Sequence, residues 1–373
     1  MIQKVALYCI SLLLLLACSN TKQKTADLKT EENIFKYAKN IYSRPGSDSV
    51  TVYFSWDGQR DSITYHLFTN NSIAQTATDI HIPALNIAAL STTDIAMISE
   101  LGEIATISGV CDPFRITNQQ IKQRVTEGKI QNVGTSMEAN MESLLALNLD
   151  LIISSAFSKS DFQKFTTLQA AKMIPVVYTM SWQETSPLAR VEWIKFIGML
   201  LNQYDKADST FSQIERQYLS YKKIASNVTQ RPKVLAGSGT NDIWYMPGGK
   251  SYIATFIADA GGDFIGKDDN STGSVVLNFE QVLQKSADAD LWIGCDEKTY
   301  ADLDALNKNY RLLHVYQKKA IYNRTKRTNA DGGNDYWEYG YIRPDLVLAD
   351  YLRTIHPELL PEYETIFFEK LKD

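Results

Sequence analysis

The stretch Asp205 to Asn227 carries apolar residues at steps of four, three, four, three and three: Ala207, Phe211, Ile214, Tyr218, Tyr221 and Ile224. That spacing lays them on one stripe of a helix. Lys206, Asp208, Ser209, Gln213, Glu215, Arg216, Lys222 and Lys223 fill the other face, no Gly or Pro interrupts, and Pro232 follows. At about 1.5 Å per residue the helix spans roughly 30 Å, the width of a small domain. On both sides of it, strand-like segments alternate with helix-like ones, a pattern that predicts parallel sheets covered by helices. The expected fold is α/β, with two lobes whose central, mostly parallel sheets are flanked by helices. A single long spine helix at 205–228 joins them. The alternative is an ordinary amphipathic helix inside one larger domain, and a motif shared by the two flanks argues for the spine.

That motif is Asn140-x-Glu142-x-x-Leu145 and, after the helix, Asn278-x-Glu280-x-x-Leu283. Each copy is followed by Asp and an apolar strand, Asp150-Leu-Ile-Ile and Asp290-Leu-Trp-Ile. Asn in each copy is placed to cap a helix, with Glu in the first turn. A Glu there also simply favours the positive end of the helix, by about 0.3–1 kcal/mol. Two copies, one per lobe, point further, to a pair of exposed carboxylates presented symmetrically.

The 373 residues suit two domains of ordinary size, and the formal net charge of -5 argues against a nucleic-acid partner. Residues 1–17 have the layout of a signal peptide, with Lys4 ahead of an apolar run. The run ends Leu15-Leu16-Ala17-Cys18-Ser19, which resembles a bacterial lipobox, so Cys18 is expected to carry lipid. A plain secretory signal and an uncleaved anchor are the alternatives. Residues 18–32 read as a polar tether and 33–85 as a strand-rich extension with a hairpin around Asp57-Gly58. The N-terminal lobe is expected at 86–204 and the C-terminal lobe at 229–373. Cys111 and Cys295, one per lobe, are expected to be separate thiols; the alternative is a disulfide, which would bolt the lobes together. Further expectations are a single helix over Pro187–Asn202, a loop over Gly237–Gly249, and a terminal helix after Pro361.

Residues from about 85 to 360 resemble the substrate-binding proteins of ABC importers for metal chelates. The resemblance rests on the two Asn-x-Glu motifs and on Ile87-Ala-Ala-Leu-Ser91, Leu101-Gly102, Ile107-Ser-Gly-Val110 and Val133-Gly134-Thr135. In the second half it rests on Met246-Pro247-Gly248-Gly249, Ala260-Gly-Gly262 and Arg343-Pro344-Asp345. It implies two α/β lobes on one rigid helix, with an iron-siderophore, haem or cobalamin held in the cleft between them. It also implies that Glu142 and Glu280 meet Arg residues of an ABC permease dimer coupled to its ATPase. A monomer, lipid-anchored to a bacterial cell membrane and facing the periplasm, is the corresponding expectation.

Loops after strands supply the candidate ligand-binding residues: Phe114, Arg115, Thr135, Ser136, Met137, Phe157, Tyr178, Trp182, Trp244, Tyr245, Tyr336 and Trp337. Rigid aromatics suit the flat apolar faces of a chelate. Any one of them could equally be core, but Trp244 and Trp337 stand among Gly and polar residues. Arg115, Arg324, Lys326 and Arg327 are either a solvated surface or contacts for an anionic ligand. No GxSxG, HExxH, P-loop or GxGxxG occurs, and the four His are scattered, so neither an enzyme nor a resident metal or cofactor is expected. The rival reading is a lipid-anchored scavenging or adhesion protein without a permease; a hydrolase is less favoured.

Overall fold

The computed structural model describes residues 32–56, 58–69, 76–172, 174–240 and 242–373. The signal segment, Cys18 and nearly all of the tether lie outside the described residues. The spine helix runs Tyr204–Ala225 and buries Ala207, Phe211, Ile214 and Tyr218; Tyr221 is half-buried, while Ile224 at the end of the stripe stays exposed. Its polar face is fastened at both ends. Asp208 pairs with Lys195 at 2.9 Å before the helix, and Lys222 pairs with Asp259 at 2.8 Å beyond it. The Tyr218 hydroxyl donates to the same Asp259 carboxylate at 2.8 Å.

Before the spine, five strands form a wholly parallel sheet in the order Gln131–Asn132, Ile107–Val110, Ile87–Ala89, Leu151–Ser155, Val176–Thr179. After it, Asp263–Phe264, Lys233–Ala236, Leu291–Cys295 and Ile321–Asn323 run parallel, with Glu369–Lys370 antiparallel at the edge. The fold is therefore α/β with parallel-rich sheets on both sides of a long helix. Both sheets begin alike. Asp150 accepts the N–H groups of Leu85 and Asn86 at 2.9 Å each, just ahead of the strand Ile87–Ala89. Asp290 accepts the N–H of Lys233 at 2.8 Å, at the start of the strand Lys233–Ala236. The repeated Asp thus ties the strand it introduces to the first strand of its own lobe. Cys111 and Cys295 are both buried, free thiols.

Three expectations change. Gly237–Gly249 is not a loop: Ser238–Thr240 and Ile243–Pro247 form a hairpin that pairs with Ser274–Asn278 in an antiparallel sheet. The signal is the alternation of exposed Ile243 and Tyr245 with buried Trp244 and Met246, which the flanking glycines obscure. The helix expected over Pro187–Asn202 divides into Pro187–Val191 and Ile194–Leu200, although Leu188, Val191, Ile194, Ile197, Leu200 and Leu201 all face inward along both pieces. No helix follows Pro361. The N–H groups of Ile366, Phe367 and Phe368 instead donate to the buried Asp350 carboxylate at 2.8, 2.6 and 2.9 Å. Those donors are then lost to a helix, and Phe367 and Phe368 both pack inward.

The strands before residue 85 do not stand apart from the first lobe. Ile41–Tyr42, Ser49–Trp56, Gln59–Phe68 and Asp79–His81 form a sheet whose Val50, Val52, Tyr65 and Ile80 are fully buried in the common core. Two carboxylates of the first lobe grip the segment ahead of it. Glu192 accepts the N–H groups of Lys36, Tyr37 and Ala38 at 2.7, 2.7 and 2.8 Å. Glu184 accepts those of Lys39 and Asn40 at 3.0 and 2.8 Å. Burial raises the Glu184 pKa, and these hydrogen bonds work against that rise.

A further buried carboxylate, Asp94, lies at the N-terminus of the helix Thr92–Glu100 and accepts from the Ser91 and Thr179 hydroxyls at 2.6 and 3.2 Å. Burial pushes its pKa up to about 6 from an ordinary 3.8, the two hydrogen bonds opposing. Between those values the folded protein binds the proton more tightly than the unfolded chain, so stability falls as pH rises through this window and stays lower above it. Asp94→Asn is expected to remove that slope and to raise stability at neutral pH by up to roughly 3 kcal/mol. Urea melts of both proteins at pH 4 and pH 7 check this; the same slope in both contradicts it.

Candidate functional site

The C-terminal ends of strands from both sheets open onto one cleft of about 950 Å³. Parallel α/β sheets place ligands there because the loops that follow the strands converge. From the first lobe come Phe157 and Ser158, after the strand Leu151–Ser155, and Trp182 to Thr185, after the strand Val176–Thr179. From the second come Gly237 and Ser238, then Tyr245, Tyr252, Arg324 and Trp337. Phe157, 64% exposed, and Trp182 sit with ring centroids 5.3 Å apart. Trp337, 39% exposed, lies under the Arg324 guanidinium at 4.6 Å, and Arg324 is held by Asp296 through two bonds of 2.7 Å. Arg324 is therefore not a loose surface charge.

Arg190 projects into the same space from the helix Pro187–Val191. Its guanidinium stacks on Tyr252 at 3.6 Å and donates to the main-chain carbonyls of Glu184 and Trp182 at 2.9 and 2.7 Å. Among the described residues no carboxylate pairs with it. The wall thus combines aromatic faces with a cation open to an anionic group. Arg190, Gln183, Tyr252 and Trp56 escape a reading by motif. The one available signal was a lone Arg within the apolar run from Pro187.

Four of the sequence-derived ligand residues meet in the cleft: Phe157, Trp182, Tyr245 and Trp337. The others lie elsewhere. Trp244, 1% exposed, packs in the core against Trp292 and Tyr310 and donates its indole N–H to the Ala236 carbonyl at 3.2 Å. The alternation of its strand turns it inward, away from the cleft that Trp337 lines. Tyr178 is core, edge-on to Phe162. Tyr336 is buried beside Phe367 and Phe368, behind Trp337. Thr135, Ser136 and Met137 form an exposed turn outside the cleft walls, with Met137 83% exposed. Phe114 and Arg115 also stand outside those walls, on the short turn Pro113–Arg115.

That turn joins the lobes instead. The Asn329 amide donates to the Phe114 and Ile116 carbonyls at 3.1 Å each. Glu338 accepts the N–H groups of Thr117 and Asn118 at 2.6 and 3.0 Å, and the Thr117 hydroxyl donates to Asp335 at 2.7 Å. The lobes are therefore bolted together a second time, by the loop that carries Trp337.

Glu142 and Glu280 sit as the motif implies. Asn140 caps the helix Met141–Ala146 by accepting from the Ser143 N–H at 2.9 Å, and Asn278 caps Phe279–Lys285 by accepting from the Gln281 N–H at 2.9 Å. Both Glu side chains are exposed in the first turn, and neither has an ion-pair or hydrogen-bond partner among the described residues. Ser274 lines the cleft at one end of its strand, and Asn278, which caps the helix of Glu280, lies at the other end.

Two lobes, a single connecting helix and a cleft at the strand ends define a solute-binding protein. The chain belongs to the periplasmic binding protein family, which matches residues 87–327. A protein of Methanocaldococcus jannaschii named as an uncharacterized lipoprotein is 28% identical over 301 residues, 78% of this chain and 70% of its own. The fold is similar to that of a periplasmic heme binding protein from Pseudomonas aeruginosa (TM-score 0.57, 14% identity, 78% of this chain and 99% of that one). It is also similar to the periplasmic vitamin B12 binding protein of Vibrio cholerae (TM-score 0.52, 14% identity, 73% and 97%). Its family and its fold are those of periplasmic binding proteins.

Proposed function

We propose that this protein captures a metal chelate (an iron-siderophore, haem or cobalamin) in the cleft and delivers it to an ABC permease. The observation that carries the reading is the cleft itself. Its volume of about 950 Å³ lies at the upper end of small-molecule pockets, roughly 300–1,000 Å³. Flat aromatic walls and the open Arg190 charge match a broad ligand with apolar faces and anionic arms. The solved proteins of similar fold are named for haem and vitamin B12, which is in keeping with that ligand class. Relatives named as lipoproteins support tethering through Cys18 to a membrane, facing the periplasm. Two exposed carboxylates, one per lobe and each without a partner among the described residues, favour permease delivery over a free-standing scavenger.

Haemin, cyanocobalamin and a ferric hydroxamate, titrated by absorbance and tryptophan quenching, test the ligand class. One of the three is expected to bind. Trp337→Ala is expected to weaken that binding by about 1–3 kcal/mol, the scale of an aromatic contact at the centre of a site. Trp244→Ala, in contrast, should act through stability. Binding that is unchanged in Trp337→Ala, or absent for all three probes, contradicts the proposal.

A further inference from the structure

The segment ahead of residue 87 lies outside the family match, yet it reaches the cleft: Asn40, Ser55 and Trp56 line the same cavity as Trp182 and Trp337. Trp56 ends the strand Ser49–Trp56, at the tip of its hairpin. Its ring stands 6.1 Å from that of Trp182, so Trp56 and Phe157 flank Trp182 on the first-lobe side. The face of the strand that carries Trp56 also carries Val50, Val52 and Phe54, all buried, which fixes the direction in which the indole points.

The hairpin tip is held by the cleft loop itself. Gln183 accepts the Ser55 N–H at 3.2 Å and donates to the Ser55 carbonyl at 3.3 Å, as a neighbouring strand would. Glu184, the next residue, takes the N–H groups of Lys39 and Asn40. Lys159, from the loop of Phe157, donates to Gln59 at 3.3 Å across the hairpin. Three consecutive residues therefore divide the work: Trp182 faces the ligand space, and Gln183 and Glu184 anchor the extension to it. Tertiary contacts this local are not needed to cover a core, since the valines and Tyr65 already do that further along the sheet.

We infer that the N-terminal sheet is a third wall of the binding site, and that Trp56 is a ligand-contacting, specificity-determining residue. The ligand would then present an apolar face broad enough to cover Trp182 and Trp56 together, while its opposite side meets Trp337. This rests on the chelate reading of the cleft.

The test uses the full-length protein and whichever of haemin, cyanocobalamin or ferric hydroxamate the unaltered protein binds. Trp56→Ala is expected to weaken that probe about tenfold or more, as expected for a buried aromatic contact, and Trp56→Phe to retain most of the affinity. Tyr53→Ala, on the opposite face of the strand, should leave affinity unchanged. Melting curves of each variant separate a lost contact from a lost fold, and Trp56→Phe keeps the wall filled if Trp56→Ala proves unstable. If Trp337→Ala loses affinity while Trp56→Ala and Trp56→Phe both bind like the unaltered protein, the third wall is overturned and the cleft reading stands. If neither Trp337→Ala nor Trp56→Ala changes binding, both fall.

Discussion

Reversing both docking charges, Glu142→Lys with Glu280→Lys, is expected to abolish uptake through the partner permease while leaving chelate affinity and melting temperature nearly unchanged. Each Glu stands exposed in the first turn of a capped helix, with no partner among the described residues through which to support the fold. The positive end of the helix dipole favours an acidic side chain in that turn. The spine helix and the Glu338 bolt fix the separation of the two charges, which suits a two-fold permease presenting Arg residues. Charges at the rim of an interface act on encounter and register, and like charges set face to face cost several kcal/mol. Double replacement by Ala should therefore reduce transport, and Lys should reduce it further. Uptake assays in cells that depend on this importer, alongside titrations of the purified variants, separate docking from capture. Normal uptake by the double Lys variant would sink the docking role and leave the motif as a helix cap that occurs twice.

Glu192→Ala is expected to cost about 3–5 kcal/mol of stability, more than a typical core substitution. Its carboxylate is fully buried and accepts the three successive N–H groups of Lys36, Tyr37 and Ala38. It also lies 3.3 Å from the buried Lys195 ammonium, whose other carboxylate partner is Asp208 of the spine. Burial lowers the Lys195 pKa, but Asp208 and Glu192 more than offset it, so the lysine stays charged. Removing Glu192 leaves three main-chain donors without an acceptor and a buried cation with one partner fewer. Glu192→Gln keeps the shape and one acceptor oxygen and should fall between. Because this carboxylate holds the chain ahead of the hairpin, Glu192→Ala should also expose residues 34–68 to protease before the rest unfolds. Chemical melts with limited proteolysis measure both; a loss below about 1 kcal/mol would show the grip to be no stronger than a surface pair.

Much of this architecture is legible in local patterns, because local physics produces it. The spine helix follows from an uninterrupted helical stripe, and the two Asn caps follow from a residue type that satisfies free N–H groups. Apolar runs after Asp150 and Asp290 read as buried parallel strands because both faces of such strands are covered. What stayed hidden depends on partners distant in sequence. Trp244 looked like a cleft residue among glycines, but its strand pairs with Ser274–Asn278, and that pairing decides which way the indole points. The chain end looked helical until Asp350 took its N–H groups. Arg190 and Trp56 reach the cleft from a helix and a hairpin that carry no ligand motif. Phe157, Trp182 and Trp337 were found because loops after parallel strands must converge, whatever their partners; Tyr245 reaches the cleft from a strand of the antiparallel hairpin instead.

Above all, the ligand is expected to lie between the aromatic wall of Phe157 and Trp182 and the Arg324–Trp337 pair. A crystal structure of the protein loaded with its tightest-binding probe tests this most directly. Ligand density should then fill the cleft, with an aromatic-facing side on Trp182 and Trp337 and an anionic arm within hydrogen-bond reach of Arg190. Density on the far side of the Glu338 bolt, in the groove formed by Ser99, Thr117, Asn118 and Tyr339, would contradict it.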